Sequence, residues 1–554
     1  MKLTNLKSLI LGLCILAAST VKAQLFDYKN PVPYKAPATV KKINNVGVYP
    51  NLKAAASWSG QQEGEYSLKF KIGGLKPGDE VYLADNYNGS KYLRDTAKVN
   101  QKGIAIFEGD FKLQRGLYLF VFPKKQGYFE FIVSDDLDFQ IETDTSYYEN
   151  DFYSKMVVKG SEENTSFMGY QIKKIEVAKG LMSLDRELKD STISNTKRTE
   201  LDAKKKAIIT KKNNLDRTYI NENPSHLLSR FLTAVIDIEV PKELPLNKEG
   251  KADSSYPYTY YRNHYFDNVD FGEDGLMRMP FHIIKQKLDF YWDKVQILQP
   301  DSAYRVASRI IEMADQTIDL ERFLIWYHIN KFETSNIMGL DKTFCMLGRE
   351  TYMAGKAWWA DSATIGSISK NIIQREGSVI GTKAADLMLQ TFDTARAASQ
   401  KTPWVRLNDI KAKYKIMIFW DPTCGHCREV VPKLAKLYNK NMDKGWAVIG
   451  LTQSDKKKEF DEFMDAHPEV KNWIHLDRSA APSNAYARNL KQYYVIASPT
   501  IFVLDENNII QANRMDVEKL DEFIKQLDRI KEFKKSSKMN TPEKETSDSD
   551  LKTK

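Results

Sequence analysis

The chain has 554 residues, of which 42% are hydrophobic and 28% are charged. These proportions are ordinary for a globular protein and exclude a collagen-like or wholly disordered chain. At roughly 150 residues per domain, the length predicts three or four domains. The formal net charge is +9 and lysines alternate with acidic residues, which argues against a nucleic-acid partner. Only four cysteines are present, so the sequence does not encode a disulfide-stapled scaffold.

Residues 1–23 have the pattern of a cleaved export signal. Lys2 and Lys7 precede an apolar run from Leu9 to Ala18, and small residues and then Val21-Lys22-Ala23 follow. The run is too short to span a membrane, and no later segment reaches about 18 apolar residues. We therefore predict cleavage after Ala23 and export of a mature chain without a transmembrane segment. The periplasm of a Gram-negative bacterium is the expected location.

The next two regions carry strand signals and then helix signals. A Pro-rich segment, residues 24–54, leads into residues 55–150, where short apolar runs such as Tyr66–Ile72 are separated by Gly, Pro and Asp turns. This spacing predicts an all-β sandwich. Residues 151–375 change to an apolar period of three and four, which predicts a mainly α-helical domain with an aromatic-rich loop between its helices.

Two further features of the chain are expected to take no part in its chemistry. Cys345 lies in an apolar helical context, where a buried and inert thiol is expected. Residues 534–554 are rich in Lys, Glu, Ser, Thr and Asp and predict a disordered tail.

The candidate chemistry lies at two cysteines three residues apart. The apolar run Ile416–Trp420 has the length of a buried strand and leads into Cys424-Gly-His-Cys427, where a helix pattern begins. A helix N-terminus points free N–H groups at the first sulfur, so Cys424 is the candidate nucleophilic thiolate. His426 adds positive charge when protonated, and with Gly425 it is expected to tune the redox character. Cys427 lies about one turn further on, where its thiol can displace a mixed disulfide.

Three other interpretations of the pair stay open. A Cys-x-x-Cys pair can be half of a zinc site, but there is no other cysteine pair, and His467 and His475 would have to converge by chance. An inert disulfide would close too small a loop to add much stability. The pair could also be a redox-inactive relic used only for binding. We predict no metal and no cofactor.

Residues 376–533 resemble the thioredoxin superfamily. The similar features are the lead-in Ile380–Leu387, the aromatic Trp420 before the redox motif, Pro432 five residues after the second cysteine, and the segment Ala497–Leu504. The additional α/β pattern before Pro499 is similar to the cytochrome-maturation and peroxiredoxin-like branch of exported thiol–disulfide oxidoreductases. The order of a β module, helices and a C-terminal thioredoxin domain also resembles large exported redox proteins, whose accessory domains have no assigned role.

The resemblance implies a C-terminal α/β thioredoxin fold behind the β sandwich and the helical domain, in a multidomain protein. It implies that Pro432 kinks the helix that carries the cysteines. It also implies that Pro499 forms a cis bond opposite them and, with Ser498 and Trp420, binds the substrate. A cis X–Pro bond exposes backbone groups that can pair with an extended chain.

Several positions depart from the family pattern. Ile418 stands where thioredoxin has a buried acid, and Asp421 and Glu429 are the nearest replacements as proton carriers. Thr423 replaces the usual tryptophan before the first cysteine. The Cys-Gly-His-Cys motif resembles protein disulfide isomerase, whose potential of about −180 mV is less reducing than the roughly −270 mV of thioredoxin. The direction of electron flow therefore stays open.

The leading hypothesis is an exported thiol–disulfide oxidoreductase that reduces or isomerises protein disulfides. Its expected partners are disulfide-bonded proteins and a membrane or periplasmic electron donor. The alternative is a non-catalytic envelope binding or assembly protein that uses its thioredoxin domain for docking, since residues 24–375 carry no catalytic motif. A peroxidase is less favoured, because both thiols lie in one Cys-x-x-Cys motif.

Overall fold

The computed structural model describes residues 62–125, 127–147, 152–247, 249–391, 404–452, 454–478 and 490–539. The predicted export signal and the Pro-rich segment lie outside these residues, as do residues 540–554 of the predicted tail. Contacts between residues divide the chain into two compact units. The first comprises Met1–Gln296 with Met313–Glu321, and the second comprises Ile297–Glu312 with Arg322–Lys554.

The first unit begins with two four-stranded sheets of orders β4-β1-β7-β8 and β3-β2-β5-β6. The strands are β1 (Gln62–Gly73), β2 (Glu80–Tyr87), β3 (Ser90–Lys98), β4 (Ile104–Lys112), β5 (Gly116–Val121), β6 (Tyr128–Val133), β7 (Asp138–Asp144) and β8 (Val157–Lys159). The Phe70 ring of one sheet lies 4.8 Å from the ring of Phe120 and 5.2 Å from that of Phe131 in the other. Aromatic residues therefore fill the space between the sheets, and the predicted sandwich is confirmed.

Helices of the first unit follow the sandwich. They are α1 (Glu162–Leu188), α2 (Asn195–Glu222), α3 (Leu227–Val235), α4 (Tyr256–His264) and α5 (Ile283–Phe290). The first two run antiparallel, since Tyr170 bonds to Asp216 and Lys205 pairs with Asp185. The predicted helical middle is confirmed. The prediction of an aromatic loop is wrong for residues 256–264, where a proline in the first turn is compatible with a helix.

Four helices precede the thioredoxin-like sheet in the second unit. They are α6 (Pro300–Glu312), α7 (Asp319–Glu333), α8 (Leu340–Gly348) and α9 (Ser362–Arg375). Of these, α7 belongs to the second unit from Arg322 onward. Asp341 of α8 is buried and accepts hydrogen bonds of 2.7 Å from both Asn513 and Arg514. Met338 packs against the core that contains Cys427. The boundary predicted between residues 375 and 376 therefore lies inside this unit.

The sheet of the second unit has five strands in the order β13-β12-β11-β14-β15. They are β11 (Tyr414–Phe419), β12 (Trp446–Thr452), β13 (Ile474–Asp477), β14 (Thr500–Asp505) and β15 (Ile510–Ala512), while β9 (Met388–Gln390) and β10 (Trp404–Arg406) pair separately. The first three are parallel to one another, and β14 runs antiparallel to β11. All six residues of β11 are buried, because both sheet faces are covered.

Three helices complete the predicted thioredoxin fold in the described part of the second unit. They are α10 (Gly425–Asn441), α11 (Lys457–Ala466) and α12 (Leu520–Met539). The last helix extends to Met539, so residues 534–539 of the predicted disordered tail are helical. Within the described ranges, no helix is both long and apolar enough to cross a membrane.

Candidate redox site

The two cysteines lie where the central strand passes into α10, and they differ in exposure. Cys424 occupies the position just before the first helical residue, with its backbone N–H bonded to the carbonyl of Asp421 at 3.1 Å. Its side chain is partly exposed, whereas Cys427 is fully buried. Both are free thiols. A reaction partner can therefore reach the first sulfur but not the second.

The loop before β14 lies against the accessible sulfur. The Sγ of Cys424 donates a hydrogen bond of 3.5 Å to the carbonyl oxygen of Ser498, and the Ser498–Pro499 peptide bond is cis. Thr500, the next residue, pairs with Phe419 at the end of the central strand. This pairing brings the loop to the same end of the sheet as the redox motif. The structure thus brings together four residues that the sequence assigned to one site.

Burial controls the protonation of the second thiol. Loss of solvent raises the pKa of Cys427 to about 12; a backbone hydrogen bond at Asp421 opposes this, and the neighbouring Cys424 adds to it. The thiol therefore stays protonated at neutral pH. A base must take this proton when the second sulfur reacts.

The residues between the cysteines face solvent. The side chains of His426 and Glu429 are 71% and 73% exposed, and their nearest charged atoms are 4.0 Å apart. Water and salt screen charges at such a position. Gly425 has no atom within 4 Å of the place where a Cβ would stand, so space alone does not require glycine there. The surface beside Cys424 is consequently open.

Two residues of the predicted site, Trp420 and Pro432, do not lie where a substrate would contact them. Trp420 was predicted to bind substrate, but its side chain is fully buried, with ring centroids 5.8 Å from Phe460 and 5.0 Å from Phe463. It supports the site from the core and cannot touch a bound chain. Pro432 lies inside α10 as predicted, where its missing N–H removes one helical hydrogen bond.

Asp421 is a poor proton acceptor in this arrangement. The backbone N–H and the hydroxyl of Thr423 donate to one of its carboxylate oxygens at 2.8 and 2.6 Å. Burial opposes ionisation, but these hydrogen bonds and nearby cations lower the pKa of Asp421 overall. A carboxylate held in this way takes a proton less readily than an unperturbed one.

His475 is a buried ionisable group, not predicted as such from the sequence, on the sheet face that carries Ile418. Strand pairing sets Ile418 beside Gly450, and Gly450 beside His475. A Cβ at Gly450 would stand 3.2 Å from both the His475 Nδ1 and the Trp420 Nε1, so the glycine leaves room for both rings. Burial lowers the pKa of His475 to about 4, and its Nε2 donates to the Val470 carbonyl at 3.0 Å. The imidazole is therefore neutral at physiological pH. Successive residues of a strand face opposite sides of the sheet, so His475 shares a face with Trp473. This spacing was the signal that could have identified it as buried.

The part of the chain that the structure describes contains no group of three His, Cys, Asp or Glu side chains arranged to hold a metal ion.

Stability should fall at alkaline pH because two thiols are buried. Burial raises the pKa of Cys427 and of Cys345 to about 12, from an ordinary value near 9. Above pH 9 the folded protein keeps protons that the unfolded chain gives up. The contribution of the two protonated thiols to the free energy of unfolding is therefore complete below pH 9 and is lost between pH 9 and 12. The expected loss is at most about 1.4 kcal/mol per pH unit for each thiol.

This loss can be measured by denaturant unfolding of the reduced protein between pH 7 and pH 10.5. Cys345→Ala and Cys427→Ala should each flatten the decline, while Cys424→Ala provides the matched control with a partly exposed thiol. Equal slopes in all four proteins would contradict the assignment.

An accessible thiol at a helix N-terminus, a buried thiol one turn later and a facing cis-proline loop are features of a thioredoxin-like domain. Comparison with family models agrees: residues 380–513 match the AhpC/TSA family. Residues 66–167 and 201–358 match two domains of unknown function, DUF4369 and DUF5106. The chain therefore carries an AhpC/TSA thioredoxin-like domain at its C-terminus, preceded by these two domains, and the predicted resemblance is confirmed.

Individual relatives resemble parts of the chain. The thioredoxin-like protein YneN of Bacillus subtilis is 27% identical over 133 residues, which are 24% of this chain and 68% of YneN. A thioredoxin-like protein from Bacteroides caccae is 16% identical, with a TM-score of 0.37 over 51% of this chain and 98% of that one. A domain of a possible thiol-disulfide isomerase from Cytophaga hutchinsonii is 30% identical, with a TM-score of 0.23 over 28% of this chain and 97% of that one.

Proposed function

We propose that this protein is an exported thiol–disulfide oxidoreductase that reduces or isomerises disulfide bonds of other proteins. The observation that carries the proposal is the unequal exposure of the two thiols. Cys424 is accessible at a helix N-terminus and touches the loop at Ser498, whereas Cys427 is buried one turn behind it. The match of residues 380–513 to the AhpC/TSA family and the similarity to the thioredoxin-like protein YneN support the reaction class.

The proposed reaction begins at Cys424. Its thiolate attacks one sulfur of a substrate disulfide, forms a new S–S bond with it, and releases the other substrate sulfur as a thiolate that takes up a proton. Cys427 then loses its proton and attacks the Cys424 sulfur. The second substrate thiol leaves, and the two cysteines end as a disulfide that holds the two-electron oxidation.

The surroundings of the sulfurs assist each step. The N-terminal end of α10 favours negative charge on Cys424 during attack and again when it leaves. The backbone at Ser498 and Pro499 lies beside that sulfur, where an extended substrate segment can align. A membrane or periplasmic donor would return two electrons to the disulfide. Export to the periplasm is part of the proposal and rests on residues 1–23.

The test is a disulfide-reduction assay. Protein without residues 1–23 should accelerate the reduction of insulin by dithiothreitol, since an activated thiolate attacks disulfides faster than an ordinary thiol. Cys424→Ser should abolish the acceleration, and Cys345→Ala should retain it as the matched control for loss of a thiol. No acceleration by the unaltered protein, or equal acceleration by Cys424→Ser, would contradict the proposal.

A further inference from the structure

An arginine that precedes the thioredoxin-like match contacts the chain leading to the redox site. Arg375 is the last residue of α9, and its side chain is only 13% exposed. Its guanidinium carbon lies 4.9 Å from the ring centroid of Phe344 and 5.2 Å from that of Tyr494. Planar guanidinium groups interact favourably with aromatic faces at such distances. All three residues belong to the second unit.

The helices hold this guanidinium in place. Arg375 Nη1 donates to the backbone carbonyl of Glu333 at 3.0 Å, and Nη2 lies 3.9 Å from the carboxylate of the same residue. Asn371, one turn earlier in α9, donates to that carboxylate at 2.7 Å. The cation is thus bound to the end of α7 before it meets the tyrosine.

The segment that contains Tyr494 is fixed on two sides. The hydroxyl of Tyr493, a buried neighbour, donates to the carbonyl of Ala385 at 2.5 Å. A Cβ on Gly377 would stand 3.1 Å from the carbonyl oxygen of Gln492, so the backbones approach closely here. Tyr494 itself has a φ of 29°, a conformation that costs free energy and persists only when its surroundings impose it.

Tyr494 and Thr500 are the two anchors of a five-residue stretch, whose first residue, Val495, packs against the core. Thr500 pairs with Phe419 in the sheet, and its hydroxyl donates to the Ala497 carbonyl at 2.6 Å. Between the two anchors the chain is more open, with Ile496 71% exposed. This stretch contains Ser498, whose carbonyl accepts from Cys424. Of these two anchors, Tyr494 is the one that contacts Arg375 of α9.

We propose that Arg375 is a positioning residue for disulfide exchange, and that it acts by holding Tyr494 and thereby the loop 495–499 against Cys424. The inference rests on the proposed function and gives the helices before the thioredoxin-like domain a part in it. Loss of the arginine should loosen the loop, so that protein substrates bind less tightly. It should also let the Ser498 carbonyl, which lies 3.5 Å from the Cys424 sulfur, move away, so that an alkylating reagent reaches this sulfur faster.

The experiment compares Arg375→Met with Arg349→Met in the full mature chain. Arg349 is the matched control, because it pairs with Glu376 at the exposed surface and not with Tyr494. We expect the KM for insulin to rise about two- to fivefold in Arg375→Met, with kcat within about twofold, as loss of one cation–π contact implies. The rate of Cys424 alkylation by iodoacetamide should rise by a similar factor, and Arg349→Met should change neither.

Substitutions of the tyrosine give an independent measurement if Arg375→Met does not fold. Tyr494→Phe keeps the ring and should behave like the unaltered protein, whereas Tyr494→Leu should show the changes expected of Arg375→Met. Equal values for the phenylalanine and leucine variants, or for the two arginine variants, would overturn the inference. Alkylation needs no substrate, so it decides the matter even if the protein proves inactive towards insulin.

Discussion

Replacing Cys427 with serine is expected to convert the protein into a covalent trap for its substrates. Cys424 can still attack a disulfide, but the buried thiol that would release the product is gone. Intramolecular reactions in favourable geometry have effective molarities of about 10⁵ M or more, so the mixed disulfide should live at least about 100-fold longer. Cells that express the variant should accumulate adducts, visible on non-reducing gels after acid quenching and alkylation. Mass spectrometry of the adducts would then identify the substrates.

Two further variants control the trapping experiment. Cys424→Ser combined with Cys427→Ser should give no adducts, because the attacking sulfur is missing. Cys345→Ala combined with Cys427→Ser should give the same adducts as the single variant, since Cys345 is buried in the helices. Absence of adducts from Cys427→Ser would argue against exchange chemistry and favour a docking protein. Adducts that depend on Cys345 would contradict the assignment of Cys424.

Much of the redox site could be predicted because its signals are local. The apolar run in β11 is continuous since both faces of that strand are covered. The change to a helical pattern after Cys424 marks the start of α10 within one residue. The facing loop was found only through the resemblance, because nothing within Ala497–Pro499 alone shows which residues it will meet.

Other features depend on contacts that leave no local pattern. Asp341 and Asn513 are 172 residues apart, and their hydrogen bond ties α8 to the thioredoxin-like domain. A boundary drawn at residue 375 from apolar periodicity and family resemblance does not show this connection. The burial of Trp420 has another cause. Ile416 and Ile418 of β11 and Trp420, the residue after its end, lie two positions apart and enter the same core. Strand periodicity therefore predicts that Trp420 is buried, whereas the family resemblance suggested a substrate contact.

The largest effect on stability is expected at Arg278 in the first unit. Its guanidinium is 2% exposed, has its Nε 3.4 Å from the carboxylate of Asp85, and donates to the carboxylate of Asp319. Arg94 binds Asp85 through two hydrogen bonds of 2.8 and 2.9 Å. Strand β2, the segment just before α5 and the start of α7 are thus joined by buried charges, and Arg278 compensates a carboxylate on each of two sides.

Arg278→Met should lower the free energy of unfolding by about 3–5 kcal/mol, because it takes the arginine from the buried Asp319 carboxylate and leaves Asp85 with Arg94 alone. Denaturant unfolding of the full mature chain measures this loss. Arg217→Met is the control, since its pair with Glu239 is 60% and 84% exposed and is worth about 1 kcal/mol or less. Adding Asp319→Asn to Arg278→Met should recover part of the loss, because it leaves Asp85 paired with Arg94 and no further buried carboxylate. A similar loss in the double variant would show that packing, and not charge, is responsible.

The loss in free energy of unfolding caused by Arg278→Met should also depend on pH. The protonation of Asp85 decides the direction of this dependence. Burial already raises the pKa of this carboxyl above its ordinary value, against the opposing effect of Arg94 and Arg278. Without Arg278 the pKa of Asp85 in the folded protein should rise further above its value in the unfolded chain. Stability of the variant relative to the unaltered protein therefore falls as pH rises, so the deficit should be larger at pH 7 than at pH 5. A deficit that is equal at the two pH values would show that Asp85 is not left uncompensated, and that Arg94 alone neutralises it.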